Sequence, residues 1–253
     1  MADVRIIPLG VGDAFSARHY TTCFALGAGD AWVLIDCPHP VRKRLREASH
    51  AAGIPLDLDQ VSGVALSHLH ADHASGLEDF AYYMHFALGR KARVATHPDV
   101  AAKLWTGLLG GGMGEMQADA DAPPEAQSFE TYFSLTNLDL DRPVPFGPFS
   151  IECRKTHHPV PTTAFRVTAQ GRVLGFSADS TFDPELIDWL APADLILHEA
   201  TSHPRSTVHT PYARLAALPE AYRAKLRLFH YPDDFDADAS VIEPLRQGRV
   251  YAV

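Results

Sequence analysis

The sequence predicts a mixed fold of the α/β or α+β class, and three observations carry that prediction. Short apolar, β-branched runs alternate with amphipathic helical patterns along the chain. Hydrophobic residues make up 46% of 253 positions and charged residues 21%, enough apolar side chain for one sizeable core. No repeat and no linker-like break marks a second unit, so one domain over residues 1–253 is expected.

The elements follow in order. Residues 4–9 are apolar and end at Gly10, which predicts a strand running into the loop Gly10-Val11-Gly12-Asp13. Residues 21–26 and 31–36 predict two more strands, parted by Gly27 and Gly29. Residues 41–52 are charged along one face and predict a helix. Residues 61–67 predict a β-branched strand that runs straight into a histidine cluster. A helix at 77–88, a strand at 92–96 and a helix at 99–105 come next. Residues 107–128 differ in texture: Gly110, Gly111, Gly112 and Gly114 precede QADADAPPEAQ. This predicts a flexible insertion over about 107–135. It is either a solvated loop or a flap over a site, with Phe129, Tyr132 and Phe133 as its apolar end. Strands are predicted at 149–154, 164–168, 173–177, 194–198 and 226–230, with helices at 184–190 and 211–224.

Charge and cysteine content exclude several classes. Lys and Arg total 22 against 31 Asp and Glu, a net charge of −9, which argues against a broad nucleic-acid or anionic-lipid surface. Three cysteines without a CxxC, Cys23, Cys37 and Cys153, argue against a disulfide framework or a structural zinc finger. The opening MADVRIIPLG lacks the apolar run of a signal sequence, and no stretch reaches membrane-span length. A cytoplasmic protein without a membrane partner is the expectation.

The chemistry lies in the 14 histidines. Residues 67–73 read Ser-His-Leu-His-Ala-Asp-His. Period-two strand geometry lets His68 and His70 point the same way, and the following turn lets Asp72 and His73 face a neighbouring point. Two imidazoles, a carboxylate and a third imidazole within six residues suit two adjacent zinc-type sites. The remaining ligands must come from other strand ends, and the candidates are His157 or His158, Asp179 and His230.

His-x-His-x-Asp-His after an apolar strand, with a later His, Asp and His, resembles the metallo-β-lactamase superfamily over residues 9–231. The resemblance implies an αββα four-layer sandwich with its metal site along one edge of paired sheets. By resemblance, His68, His70 and His158 bind one divalent metal, Asp72, His73 and His230 bind a second, and Asp179 bridges them. Asp36 looks like the family's early buried Asp, a supporting residue behind the ligands. His158-Pro159-Val160-Pro161 is similar to a segment of the ribonuclease Z branch, which favours His158 as ligand and leaves His157 a supporting or rim position. His198-Glu199-Ala200-Thr201 and Val208-His209-Thr210 resemble that branch too. They imply that His209 protonates a leaving oxygen, that Glu199 orients it and that His198 supports the site. The bland reading is that His198 and Glu199 cap an element and His209 precedes a helix.

The chain also departs from that branch. No basic arm separates His158 from Asp179, Tyr231-Pro232-Asp233-Asp234 replaces a Ser-x-Arg-Tyr element, and His19 stands where Asn is usual. With the acidic net charge, these changes argue against a long polyanionic substrate. Two divalent ions about 3.5–4 Å apart make hydroxide available from a bridging water near neutral pH, and Asp72 is placed to orient it as well as to bind metal. Zinc is the default for His/Asp ligands, and manganese or iron also fit. The leading reading is a phosphodiesterase for a small diester, such as a cyclic nucleotide or a short oligonucleotide end. The alternatives are a lactone or β-lactam hydrolase, with Tyr20, Tyr132 or Tyr212 as oxyanion donor, and a non-hydrolytic biosynthetic accessory protein. Arg18, Arg166 and Arg205 are candidate phosphate contacts. A homodimer is suggested by analogy with the branch.

Overall fold

A computed structural model of the chain describes residues 4–253. The first three residues, part of the opening segment MADVRIIPLG, lie outside the described residues. Among the described residues, fifteen strands run in chain order. They are β1 (Val4–Gly10), β2 (Cys23–Ala28), β3 (Ala31–Ile35), β4 (Val61–Ala65), β5 (Ala92–Thr96), β6 (Glu115–Met116), β7 (Glu125–Ala126) and β8 (Phe133–Asn137). Then come β9 (Val144–Phe146), β10 (Phe149–Lys155), β11 (Thr163–Ala169), β12 (Arg172–Phe176), β13 (Leu195–Glu199), β14 (Leu226–Phe229) and β15 (Tyr251–Ala252). The helices used below are α1 (Val41–Ala51), α2 (Ala71–Ala74), α3 (Leu77–Tyr82), α4 (Pro98–Leu104), α5 (Gly110–Met113), α6 (Phe129–Tyr132), α7 (Pro184–Leu190), α8 (Tyr212–Ala216) and α9 (Glu220–Arg223).

Two sheets face each other. One has the order β15-β1-β2-β3-β4-β5-β8, the other β14-β13-β12-β11-β10-β9. Side chains alternate across the first sheet with period two. Ile6, Phe24, Leu26, Val33 and Ile35 meet Ile151, Phe165, Phe176 and Phe229 of the second sheet. Their neighbours Ile7, Ala25, Trp32 and Leu34 pack instead on Leu45 of α1, Phe80 of α3 and Leu104 of α4. The second sheet is covered by α7, where a Cβ on Gly175 would meet Leu190. In β2, β3 and β13 both faces are buried, which is why these strands read as nearly continuous apolar runs. The result is the αββα sandwich.

Three sequence expectations change. The Gly-rich start of the 107–135 insertion is helical rather than a loop: Trp105–Leu109 makes a wide π turn that continues into α5. Met113 and Tyr132 are fully buried there, with Trp105 stacked on Tyr132, so apolar burial overrides the low helix propensity of glycine. Residues 133–135, taken as the end of that insertion, lie in β8, which pairs in parallel with β5. The helix expected at 211–224 is two short ones, α8 and α9, because Pro219 removes an N–H and restricts the residue before it.

The strand ends set the site. Pairs β3·β4, β4·β5, β12·β13 and β13·β14 are all parallel. Their carboxyl ends lie on one edge, where open α/β sheets bind ligands. Three non-glycine residues there have positive φ: Asp36 after β3 (59°), Ala178 after β12 (49°) and His230 after β14 (57°). Each turns the chain sharply at a strand end, a conformation that persists only where the surroundings enforce it.

At the carboxyl end of β1, Gly10 lies against the backbone of Tyr20 and Thr21, and an added Cβ would fall well inside contact with the Thr21 carbonyl. Gly10→Ala is expected to destabilise the fold by about 1–3 kcal/mol through overpacking, read as a lower midpoint in urea unfolding.

Candidate metal centre

The His/Asp cluster forms where β4 ends. After Ala65 the chain leaves the sheet, and His70 precedes α2, which carries Asp72 and His73. The β10–β11 connection supplies His158, the turn after β12 supplies Asp179, and the turn after β14 supplies His230. Two overlapping groups result: His68, His70, His158 and Asp179, and Asp72, His73, Asp179 and His230. Within each group one ligand atom per residue lies within 4.8 Å of the others. Asp179 belongs to both. Its Oδ2 is 3.8 Å from His68 Nε2, 3.9 Å from His158 Nε2 and 3.5 Å from His230 Nε2, while Oδ1 is 3.3 Å from His73 Nε2.

The hydrogen bonds behind these atoms fix which nitrogen faces inward. His68 Nδ1 meets Ser67 Oγ at 2.9 Å, His73 Nδ1 donates to Asp36 Oδ2 at 2.7 Å, and His230 Nδ1 meets Thr22 Oγ1 at 2.9 Å. His158 Nδ1 faces the Val208 carbonyl at 3.3 Å. Each of these rings is left with Nε2 for the centre, the arrangement that orients metal-binding imidazoles. Asp36 is the hub: it is wholly buried and also accepts from Ser67 N and Ser67 Oγ, at 2.8 and 2.9 Å.

The inward atoms fit a cation. His68 Nε2, His73 Nε2 and Asp179 Oδ1 are buried and have no hydrogen-bond partner. Unsatisfied groups of this kind each cost about 1–3 kcal/mol. His70 Nδ1 and His158 Nε2 face each other at 3.0 Å. Burial pushes His68 well down and His230 to about 4, so both stay neutral, the form a ligand needs. Burial would lower His73 as well, but the charges of Asp179 and Asp36 hold it well above its ordinary value. Those carboxylates thus draw positive charge to this point. Imidazole nitrogen with carboxylate oxygen is the donor set of zinc, manganese and iron.

Above the centre lies a second pair. His209 Nδ1 is 2.9 Å from Glu199 Oε2 and 4.0 Å from Asp179 Oδ2. Glu199 is fully buried, and its other oxygen accepts from Ser180 N at 2.5 Å. Burial opposes protonation of His209, but the hydrogen bond and charge of Glu199 outweigh it and raise the imidazole to about 9. Burial in turn raises Glu199, against the stabilising contact with His209. The open cleft has a volume of about 320 Å³ and is lined by Ala14, Phe15, Ala71, Pro159, Val208 and His209 above the inward-facing ligands.

A model of the family described as "Anti-Pycsar protein Apyc1" matches residues 4–251. The chain belongs to the Apyc1 family. It is 28% identical to the anti-Pycsar protein Apyc1 of Paenibacillus sp. (strain J14) over 257 residues, covering 99% of both chains. It is 29% identical to that of Bacillus phage 010DV004 over 266 residues, covering 98% of both. Among solved structures it is similar to the metallo-β-lactamase fold protein YhfI of Bacillus subtilis, with TM-score 0.76, 21% identity and coverage of 98% and 99%. Yeast PDE1 aligns with TM-score 0.74 and 13% identity over 100% of both chains. The short form of human tRNase Z aligns with TM-score 0.69 and 17% identity over 98% of both. The fold is the metallo-β-lactamase fold, and the site of this Apyc1-family chain is that of a metal-dependent, phosphodiesterase-like hydrolase.

All seven ligand candidates of the sequence meet at this edge. His157 and His198 do not join them. The His157 ring is 72% exposed and points to Asp183, 3.7 Å away, because the β10–β11 connection turns only one of the adjacent histidines inward. His198 is buried, and its Nδ1 meets the Glu199 carbonyl at 2.8 Å rather than a ligand. None of the three tyrosines proposed as oxyanion donors lines the cleft among the described residues. Tyr132 is in the helix-side core, Tyr212 accepts from Val241 N at 2.8 Å, and the Tyr20 ring carries the Arg44 guanidinium. Arg18 and Arg166 are also engaged elsewhere, with the Asp233 carbonyl and Glu152. Sequence reasoning gave no role to Thr22 or Ser67, although each hydroxyl anchors a ligand ring.

Two variants test the centre. Asp36→Ala is expected to weaken metal binding about 10–100-fold, measured by competition with a chromophoric chelator. In Asp179→Ala, which removes the carboxylate common to both groups, chelator treatment should no longer lower Tm, whereas the parent protein loses stability when its metal is stripped.

Proposed function

We propose that this chain hydrolyses a small cyclic phosphodiester of the nucleotide type, with zinc as its metal, and, from the description of its family, that this hydrolysis opposes Pycsar. The observation that carries the reading is the His209–Glu199 pair beside the carboxylate common to both metal groups. Opening a phosphodiester expels an alkoxide, which needs a proton. Glu199 holds Nδ1 and leaves His209 Nε2 as the nitrogen that delivers one. Asp72, partly open to the cleft, orients the attacking water. Two divalent ions held by the seven His/Asp residues would supply a hydroxide near neutral pH and neutralise charge on the phosphate. A lactone or β-lactam does not need the His209 proton in this way, and among the described residues no tyrosine lines the cleft to stabilise its oxyanion.

Cleft size and charge favour a small substrate. About 320 Å³ is near the lower end of small-ligand sites. No lysine or arginine lines it among the described residues, whereas a polynucleotide is held by rows of cations along its phosphates.

The test is turnover of purine and pyrimidine 3′,5′-cyclic nucleotides by zinc-loaded protein. His209→Ala should lower kcat by about 10²–10⁴-fold while bound zinc stays unchanged. A twenty-nucleotide single strand should not be cut. Turnover of lactones but of no phosphodiester would reject the reading.

A further inference from the structure

Phe15 is 92% exposed, and it stands in the wall of the metal cleft. Single exposed apolar side chains are ordinary; the way this one is held is not. It sits in the loop between β1 and β2, and that loop is tied at every step. Asp13 N donates to the Tyr231 carbonyl at 3.3 Å, and Phe15 N donates to Asp13 Oδ1 at 3.0 Å. The Asp233 carboxylate then accepts from Ser16 Oγ, Ala17 N and Arg18 N, at 2.5, 2.9 and 3.3 Å. The Arg18 guanidinium donates to the Asp233 carbonyl at 3.1 Å. Tyr231 is next to the ligand candidate His230 and Asp233 lies three residues after it, so the loop is tied to the segment that carries that histidine. On so constrained a backbone, the ordering cost of the loop that presents the ring is met before any ligand arrives.

We propose that Phe15 is the stacking face for the nucleobase of the substrate, and that Asp233 is the positioning residue that holds it there. This rests on the phosphodiesterase reading above. A diester held at the ligand-lined floor must project its base along the cleft wall. Above the ligands that wall offers Ala14, Ala71, Pro159 and Val208 besides Phe15 and His209. Aliphatic side chains supply no hydrogen-bonding edge for a base, and Phe15 supplies the one large aromatic face.

The test compares the zinc-loaded parent with Phe15→Ala, Phe15→Trp and Asp233→Ala. Substrates are 3′,5′-cyclic AMP, its uridine counterpart, and the 1-O-methyl riboside 3′,5′-cyclic phosphate, which has no base. Loss of one base–aromatic stack corresponds to roughly 5–150-fold in affinity. Phe15→Ala should raise KM for both nucleotides by that order with kcat little changed. The penalty should be confined to substrates that carry a base, and Phe15→Trp should restore KM. Asp233→Ala should raise KM for the nucleotides with unchanged zinc content. Equal KM in parent and Phe15→Ala would overturn the proposal, as would the same penalty on the base-free diester. A Phe15→Ala variant that sediments as a smaller species with unchanged KM would instead assign the ring to a contact between copies. A parent inert to every cyclic nucleotide would reject the phosphodiesterase reading itself, an outcome visible without any variant.

Discussion

Five imidazoles and two carboxylates converge on a largely buried edge of this protein, and their shared need for a cation organises the structure around them. Buried polar atoms without partners are costly, and here several face one point. Mutual repulsion among neutral imidazole lone pairs would disperse them unless the backbone forced them together. The force comes from sharp turns at strand ends. Asp36, Ala178 and His230 adopt positive φ where the parallel strands finish, and the two packed sheets hold those turns in place. The sandwich thus supplies the rigidity that a set of flexible loops would lack.

Behind the ligands, a layer of short polar side chains chooses the tautomers. Asp36, Ser67 and Thr22 bond the Nδ1 atoms of His73, His68 and His230, which leaves Nε2 inward in each case. Asp36 links two parts of the cluster at once, through Ser67 and His73. Its burial raises its pKa, and the contacts from His73 and Ser67 oppose that rise. The carboxylate is stabilised by the same donors that it orients.

The acidic segment after His230 has a role that charge alone misdescribes. Two carboxylates beside a phosphate site look unfavourable in the sequence. In the fold, the Asp233 carboxylate collects the donors of the β1–β2 loop, while Asp234 Oδ1 accepts from Ser202 Oγ. Both anions are spent on loop geometry. The cleft is left with apolar walls, the ligands and His209, whose pKa Glu199 holds above the ordinary imidazole value.

The sequence by itself determined most of the element types and the His/Asp cluster, and with the family resemblance it gave the seven ligand candidates. Those signals are local or are strand-end positions: period-two apolar runs, a dense His/Asp segment, and later His and Asp residues each following an apolar strand. It also pointed to His209 and Glu199, through resemblance rather than spacing. Tertiary structure decided the rest. It aims His158, the histidine that the resemblance favoured, inward and His157 outward, because one turn can aim only one of two adjacent rings at the centre. It buried part of the 107–135 segment, because Met113 and Tyr132 have a helix-side core to enter. It recruited Thr22, Ser67 and Asp233, whose partners are remote along the chain or indistinguishable from ordinary neighbours within it. A hydroxyl or carboxylate carries no mark of the donor it will meet across a fold; that pairing exists only once packed sheets bring strand ends to a common edge.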